Sequence, residues 1–363
     1  MTDPTAPTDP ANPMTCVLVG AGPRGVMLAR ALRGHPDARA AAVCEPSPQA
    51  AAAFRAEFPD IPVHASLDAA VAVARPDFVL VVTPPRQHAQ DAVAALDHGL
   101  AVLVECPMVE TRKQAEAVAE AAARAGRPAA MAESFCYLPA VQSLRRQVHE
   151  RTGPGGSAAV LGGEGHYLEW DTGLIPGGWR DNYVMARYIT HGLGPLLYAT
   201  GQHARRVVAL DPLGRTSRAQ GPLLPTALVE TDRGAVFITA NSGLAARPLT
   251  RWTLVAEDWS AESDPEGAWD GPLRIFDGTA GDAPPSWRQA PVDPALVYGD
   301  LWGLGFEPER LMLRRFAREL AGEPQDLGLE LSLNISLAGV AAARSGAARG
   351  LPVDVEPVLK EAA

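Results

Sequence analysis

A two-domain α/β protein is the fold class that the 363-residue sequence predicts, and three observations carry that prediction. Apolar, β-branched runs alternate with helix-period segments from about residue 14 to residue 135, the pattern of a doubly wound parallel sheet. A glycine turn, Gly20-Ala-Gly22-Pro23-Arg24-Gly25, stands between the first such run and the first helix. After RTGPGGS the texture changes to short β-like runs separated by turn residues, as an antiparallel sheet requires. At roughly 150 residues per domain, the length accommodates two domains. The boundaries read as a disordered lead over 1–13, a nucleotide-binding domain over 14–135, and an α+β domain over 136–363.

The elements follow in order. TCVLV is a strand and PRGVMLARAL a helix; AAAVCEP is the second strand and PQAAAAFRAEF the second helix. DFVLVVTPP is a strand stopped by two prolines, which cannot donate to a ladder. AQDAVAALDHG and TRKQAEAVAEAAARAG are helices closed by glycine, with the strand AVLVEC between them and PAAMAESF after them. In the second half AAVLGGEGHY, RVVALDP, TALVETD, GAVFITANS, TLVAE and LRIFDG read as strands. Residues 262–294, rich in Pro, Gly, Asp and Trp, read as surface loops. PERLMLRRFAREL and ELSLNISLAGVAAARSGAARG read as closing helices.

Composition narrows the function. A net charge of −10 argues against nucleic acid and anionic membrane partners, which require basic patches. No apolar run approaches the ~20 residues of a membrane span. The lead MTDPTAPTDPANP has neither a basic start nor an apolar core, so no secretion signal is expected. Four cysteines (Cys16, Cys44, Cys106, Cys136) without zinc spacing read as reduced thiols of a cytoplasmic protein. No metal site is expected, because the histidines and carboxylates show no ligand spacing.

The glycine turn fits GxGxxG in the context that gives the pattern meaning, a strand before it and a helix after it. Gly20 permits the tight turn, Gly22 lets backbone approach a pyrophosphate, and Gly25 lets helix and strand pack closely, with the helix N-terminus facing the phosphates. Pro23 and Arg24 open that helix. Glu45 ends the second strand about twenty residues on, where an acid holds the adenosine ribose. A carboxylate there repels a 2′-phosphate, so NAD is favoured over NADP. The expected unit is therefore a Rossmann domain. Ligands of open parallel sheets bind beyond the carboxyl ends of the strands, which brings Thr83, Pro84 and His88 from one strand end, and Glu105, Cys106 and Pro107 from another, into the cofactor site. Glu105 is expected near the nicotinamide ribose. His88 alternatively serves only at the start of its helix.

These residues, with VVTPPRQHAQDAVAALDHGLAVLVECP and ISLAGVAAARSGAARGLPVDV, resemble the Gfo/Idh/MocA oxidoreductases over nearly the whole chain after residue 14. The resemblance implies a Rossmann domain followed by a domain with a large, open, mainly antiparallel sheet. It also implies NAD(P)-dependent chemistry on sugars, cyclitols and related polyols, and a homodimer or homotetramer. That family carries Glu-Lys-Pro where this chain has Glu105-Cys106-Pro107. The lysine that serves there as acid/base is absent, and a thiol with an ordinary pKa of ~8.5 is a poor substitute.

MAESFCYLPAVQSLRRQV and WRDNYVMARYITHGLGPLLYATG resemble a narrower branch, the NAD-dependent α-N-acetylgalactosaminidase-like glycosidases, which also lack the lysine. The run Tyr188-Ile-Thr-His191-Gly-Leu-Gly-Pro195 maps the branch's active-site histidine onto His191. The branch's Tyr-Xaa-His-Asp segment falls on Tyr167-Leu-Glu169-Trp170, keeping the tyrosine and replacing the histidine by Glu169. Bottom-up, Tyr188 and His191 are three apart and share a helix face. An imidazole there is suited to accept a hydroxyl proton near pH 7. Candidate catalytic residues are thus His191, Tyr167 and Tyr188. Candidate substrate-binding residues are Glu169, Trp170, Trp179 and Arg180. Three functions compete: net oxidation of a sugar hydroxyl by NAD, glycoside cleavage through transient oxidation, and non-catalytic sensing of NAD or sugar.

Overall fold

The computed structural model describes residues 13–152, 160–170, 185–210, 213–215, 220–222, 225–242, 244–264, 271–278 and 286–359. Residues 1–12 of the expected 1–13 lead, and most of the RTGPGGS turn, lie outside them. The chain falls into two compact units: residues 1–134 with 295–333 and 358–363, and residues 135–294 with 334–357.

The first unit is built on β1 (Met14–Val19), α1 (Pro23–Leu32), β2 (Ala38–Cys44), α2 (Pro48–Glu57), β3 (Val63–His64), α3 (Leu67–Ala74), β4 (Phe78–Val81), α4 (Pro85–Asp97), β5 (Ala101–Glu105), α5 (Arg112–Ala125) and β6 (Ala129–Ala132). Its six strands are all parallel, in the order β3-β2-β1-β4-β5-β6, so the order reverses between β1 and β4. A ligand crevice opens at such a reversal. The β4 and β5 side chains are buried throughout, as expected of strands covered on both faces. Ser47, Ser66 and Thr111 cap α2, α3 and α5 by accepting from Ala50, Ala69 and Gln114 backbone N–H groups, and Gly126 ends α5 in the left-handed region.

The second unit comprises α6 (Pro139–Thr152), β7 (Val160–Trp170), α7 (Met185–Thr200), β8 (Ala204–Leu210), a small ribbon of β9 (Leu213–Arg215) and β10 (Gln220–Pro222), then β11 (Thr226–Thr231), β12 (Val236–Ser242), β13 (Leu244–Ala256), β14 (Trp259–Glu262), β15 (Leu273–Asp277) and β16 (Ser286–Ala290). After α8 (Pro294–Tyr298) and α9 (Glu307–Leu320) come α10 (Leu329–Ala347) and β17 (Val353–Asp354). The nine-stranded sheet has the order β16-β15-β14-β13-β7-β12-β11-β8-β17, and only the β7–β12 pairing is parallel. Asn334 at the α10 side exchanges two hydrogen bonds with the Ala204 backbone, and Ser345 accepts from Ala209 N–H, which holds β8 to this helix.

The linear reading passes over β3, α3, α6 and the β9–β10 ribbon, and two further features depart from it. Residues 295–333 return to the first unit. Arg314 of α9 is fully buried between Asp37 (2.7 Å) and Asp300 (2.6 Å). Phe316 packs edge-on against Phe78 at 5.4 Å. Arg310 donates to the carbonyls of Gly305 and Arg33. A helix whose apolar face and buried arginines fit this unit belongs to it, whatever its position in the chain. Second, the expected loop region contains the edge strand β16, largely exposed, where Trp287 packs against Phe276 and lies under Arg274. An edge strand needs no alternating apolar pattern, so its sequence reads as loop. No described helix is long and apolar enough to cross a membrane.

Candidate functional site

In the first unit the glycine turn has the geometry its sequence demands. Gly20 has φ +110°, and a Cβ there would lie 2.9 Å from the Val82 carbonyl oxygen. A Cβ on Gly25 would lie 2.3 Å from Gly20 O, so a side chain would drive α1 off the turn. A Cβ on Gly22 would meet nothing within 4 Å, which leaves the N-terminal end of α1 open to an incoming phosphate. These three positions fit a dinucleotide. Glu45, just past β2, accepts from Ala21 N–H and from Ser47 N–H, both at 2.8 Å, and so closes the turn against the strand end. Each carboxylate oxygen has a second lone pair for a ribose hydroxyl.

The strand-end residues separate into two roles. Thr83 donates to Asp91 at 2.6 Å, and burial pushes the Asp91 carboxyl up. His88 is 1 % exposed, with Nε2 2.6 Å from Thr83 O and Nδ1 2.8 Å from Pro107 O. It ties the loops after β4 and β5 together from below, and both ring nitrogens are engaged by backbone. Pro84 stands at the start of α4, and the Cys106–Pro107 bond is cis. Glu105 is buried; its Oε1 accepts from Arg24 Nε at 2.5 Å and its Oε2 from Cys106 N–H at 3.2 Å, with Cys106 Sγ at 3.6 Å. Arg24 also reaches Glu309 at 3.0 Å and Ser134 at 3.4 Å. Neither Glu309 nor Ser134 carries a motif that marks it in the sequence.

In the second unit, β7 presents Gly163, Gly165 and Tyr167 to one face of the sheet, opposite Phe237, Thr239 and Asn241 of β12 and Leu254, Trp252 and Thr250 of β13. Helix α7 lies on the same face at van der Waals contact, because Gly165 and Gly192 have no side chains there: a Cβ on Gly165 would fall 2.1 Å from Gly192 O. Trp252 Nε1 donates to that carbonyl at 3.1 Å. The close approach brings the three candidate catalytic side chains together. The His191 ring lies 4.6 Å from Tyr167 and 5.6 Å from Tyr188, and the two tyrosine rings are parallel at 6.2 Å.

Phe135 stacks on the His191 imidazole at 4.5 Å and meets Tyr167 edge-on at 5.3 Å. Nothing in the MAESFCY run marks Phe135 as a site residue. Glu169, two residues beyond Tyr167, shares its strand face. Trp170 ends β7, and its side chain, with Trp179 and Arg180, lies outside the described residues. His191 is half-exposed in an aromatic surround, a setting in which an imidazole can meet a substrate hydroxyl.

A doubly wound sheet, a phosphate-ready glycine turn and an acid after the second strand define a dinucleotide-binding domain. Residues 14–133 match the model of the GFO_IDH_MocA family, described as an oxidoreductase family with an NAD-binding Rossmann fold. A glycosyl hydrolase family 109 protein of Porphyromonas gingivalis is 23% identical over 218 residues, which are 52% of this chain and 45% of that protein. An inositol 2-dehydrogenase of Streptomyces avermitilis is 29% identical over 210 residues, 57% of this chain and 60% of that one. The chain thus spans about half the length of the curated relatives it matches.

Among solved structures, an oxidoreductase domain protein from Kribbella flavida superposes with a TM-score of 0.82 at 20% identity, covering 95% of this chain and 100% of that one. A levoglucosan dehydrogenase in complex with NADH and L-sorbose gives 0.80 at 19% identity, with the same coverage. At these identities the likeness establishes the two-part fold.

Proposed function

We propose that the protein is an NAD-dependent oxidoreductase acting on a ring hydroxyl of a sugar or sugar-like polyol. One observation carries the reading: Tyr167 and Tyr188, from a strand and a helix, converge on the single imidazole of His191. His191 accepts the hydroxyl proton, and the tyrosine hydroxyls orient the substrate by hydrogen bonds. Phe135 fixes the imidazole plane. Glu169 and Trp170, with Trp179 and Arg180, supply hydrogen bonds and an apolar surface to the sugar. NAD, when bound, accepts the hydride. The first unit holds it through Gly20, Gly22 and Gly25, with Pro23 and Arg24 opening the phosphate-facing helix. Glu45 holds the adenosine ribose, and the strand ends at Thr83–Pro84 and Glu105–Pro107 flank the nicotinamide half. The relatives and neighbours named as inositol and levoglucosan dehydrogenases support a polyol substrate. A cytoplasmic homo-oligomer completes the proposal.

Cys106 in place of a lysine favours a second reading, glycoside cleavage through transient oxidation. Oxidising a ring hydroxyl acidifies the neighbouring C–H, so elimination of the aglycone, addition of water and re-reduction follow without net consumption of NAD. Similarity to family 109 glycosyl hydrolases points the same way.

The test records NADH absorbance and nitrophenol release together while the protein with NAD meets nitrophenyl glycosides and free sugars. Accumulating NADH, lost in His191→Ala, supports the dehydrogenase. Nitrophenol without NADH transfers the assignment to the glycosidase. Silence in both channels refutes both enzymatic readings.

A further inference from the structure

We propose that Arg24 is a positioning residue that sets the Glu105 carboxylate for the second ribose of the dinucleotide, with Glu309 as its counter-charge; this rests on the NAD reading above. The placement of this arginine is unusual on elementary grounds. It is the second residue of α1, and a cation in the first turn opposes the helix dipole. Nor does its guanidinium lie idle in solvent at the phosphate-facing end. Its fork is spent inside the unit: Nε on Glu105 Oε1 at 2.5 Å, Nη1 on Glu309 Oε1 at 3.0 Å, and Nη2 on Ser134 Oγ at 3.4 Å. Both carboxylates are nearly buried, at 8 % and 9 % exposure.

Buried carboxylates are costly without a paired cation. Burial and the neighbouring Glu105 push the Glu309 carboxyl up, against the pull of Arg24. Burial works against the charge of the guanidinium, but the same two acids outweigh it and hold the group in its charged form. One rigid side chain therefore links three parts of the unit: the phosphate turn, the end of β5 and helix α9.

The consequence falls on Glu105. Arg24 occupies Oε1, and among the described residues Oε2 has the longer contacts to Cys106, 3.2 Å to N and 3.6 Å to Sγ. A carboxylate oxygen accepts more than one hydrogen bond, so Oε2 is the atom left able to receive a ribose hydroxyl. The planar fork, unlike a lysine ammonium, fixes the carboxylate's rotation as well as its charge. Without Arg24 the carboxylate would turn, and two uncompensated acids would stand beside an anionic cofactor.

The experiment is titration calorimetry of the full chain with NAD and with ADP, which has the adenosine ribose and both phosphates but no second ribose. In Arg24→Met, NAD affinity is expected to fall at least tenfold, while ADP affinity changes less than about twofold, a split that general loosening of the fold would not produce. Glu105→Gln, which keeps the side chain's shape and leaves Arg24 paired with Glu309, should show the same split. The double variant should lose no more than Arg24→Met alone. Equal weakening of NAD and ADP, or unchanged NAD binding in both single variants, overturns the proposal. Failure of the wild-type chain to bind NAD would instead overturn the cofactor reading on which it rests.

Discussion

Gly165→Ala tests the helix–sheet contact that assembles the His191 cluster. The added Cβ would lie 2.1 Å from Gly192 O, 2.8 Å from Gly192 C and 3.0 Å from Leu196 Cδ1. The first two atoms are backbone, so rotamer adjustment cannot relieve the overlap. Restoring ordinary contact needs α7 to move by about 1 Å or more. Overpacking of this kind costs ~1–3 kcal/mol, and displacing α7 also forfeits the 3.1 Å bond from Trp252 Nε1 to Gly192 O, about 1 kcal/mol. The expected loss is about 2–4 kcal/mol, or a drop in Tm of roughly 5–12 °C for a unit of this size. A 1 Å displacement of His191 from Tyr167 should also reduce kcat by about 100-fold. Differential scanning calorimetry and the dual-channel assay read the two effects. Gly192→Ala, whose Cβ would fall 2.5 Å from Thr239 Oγ1 and 2.8 Å from Gly165 O, should behave alike. A Gly165→Ala protein with wild-type Tm and wild-type turnover would refute the reasoning that this glycine pair sets the position of His191.

Two further outcomes follow from the first unit. His35 is buried with Nδ1 accepting from Asp37 and Ala38 N–H and Nε2 donating to Arg310 O, and burial lowers its pKa to about 4. The unfolded chain binds that proton first, so the stability His35 contributes is present above about pH 6.5 and is lost as pH falls toward 4, by up to about 3 kcal/mol. In urea titrations the gap between wild type and His35→Gln should narrow over that window; a gap independent of pH would contradict it. Arg314→Met leaves Asp37 buried without its guanidinium and should cost ~3–5 kcal/mol. Part of that loss should return in Arg314→Met with Asp37→Asn, measured by urea midpoint, and no recovery would show that the pair is not the source.

Much of the first unit was legible because its determinants are local. Periodicity, closing glycines, proline stops and the tight turn at Gly20 act within a few residues of chain. Each can be read without knowing what lies opposite. That Tyr188 and His191 share a helix face was legible for a similar reason, a spacing of three, while a role for His191 in the chemistry was what the family resemblance implied.

What escaped the sequence depends on partners remote along the chain. Arg24 reads as one residue of a phosphate turn, yet its guanidinium pairs with Glu309, 285 residues away. His88 reads as a cofactor neighbour, but burial sets it beneath two loops with both nitrogens on backbone carbonyls. Phe135 reads as the end of a strand, whereas it forms the surface on which His191 stacks. Helix α9 reads as part of a second domain, while its arginines and Phe316 fit the first unit.

By itself the sequence determined most strands and helices of the first unit and the dinucleotide turn, since these follow from backbone sterics and short-range periodicity. Only the tertiary structure decided which carboxylate meets which guanidinium and which ring lies against the imidazole. Those pairings are set by the packing of distant segments, where close approach at glycines and the burial of charge select one arrangement.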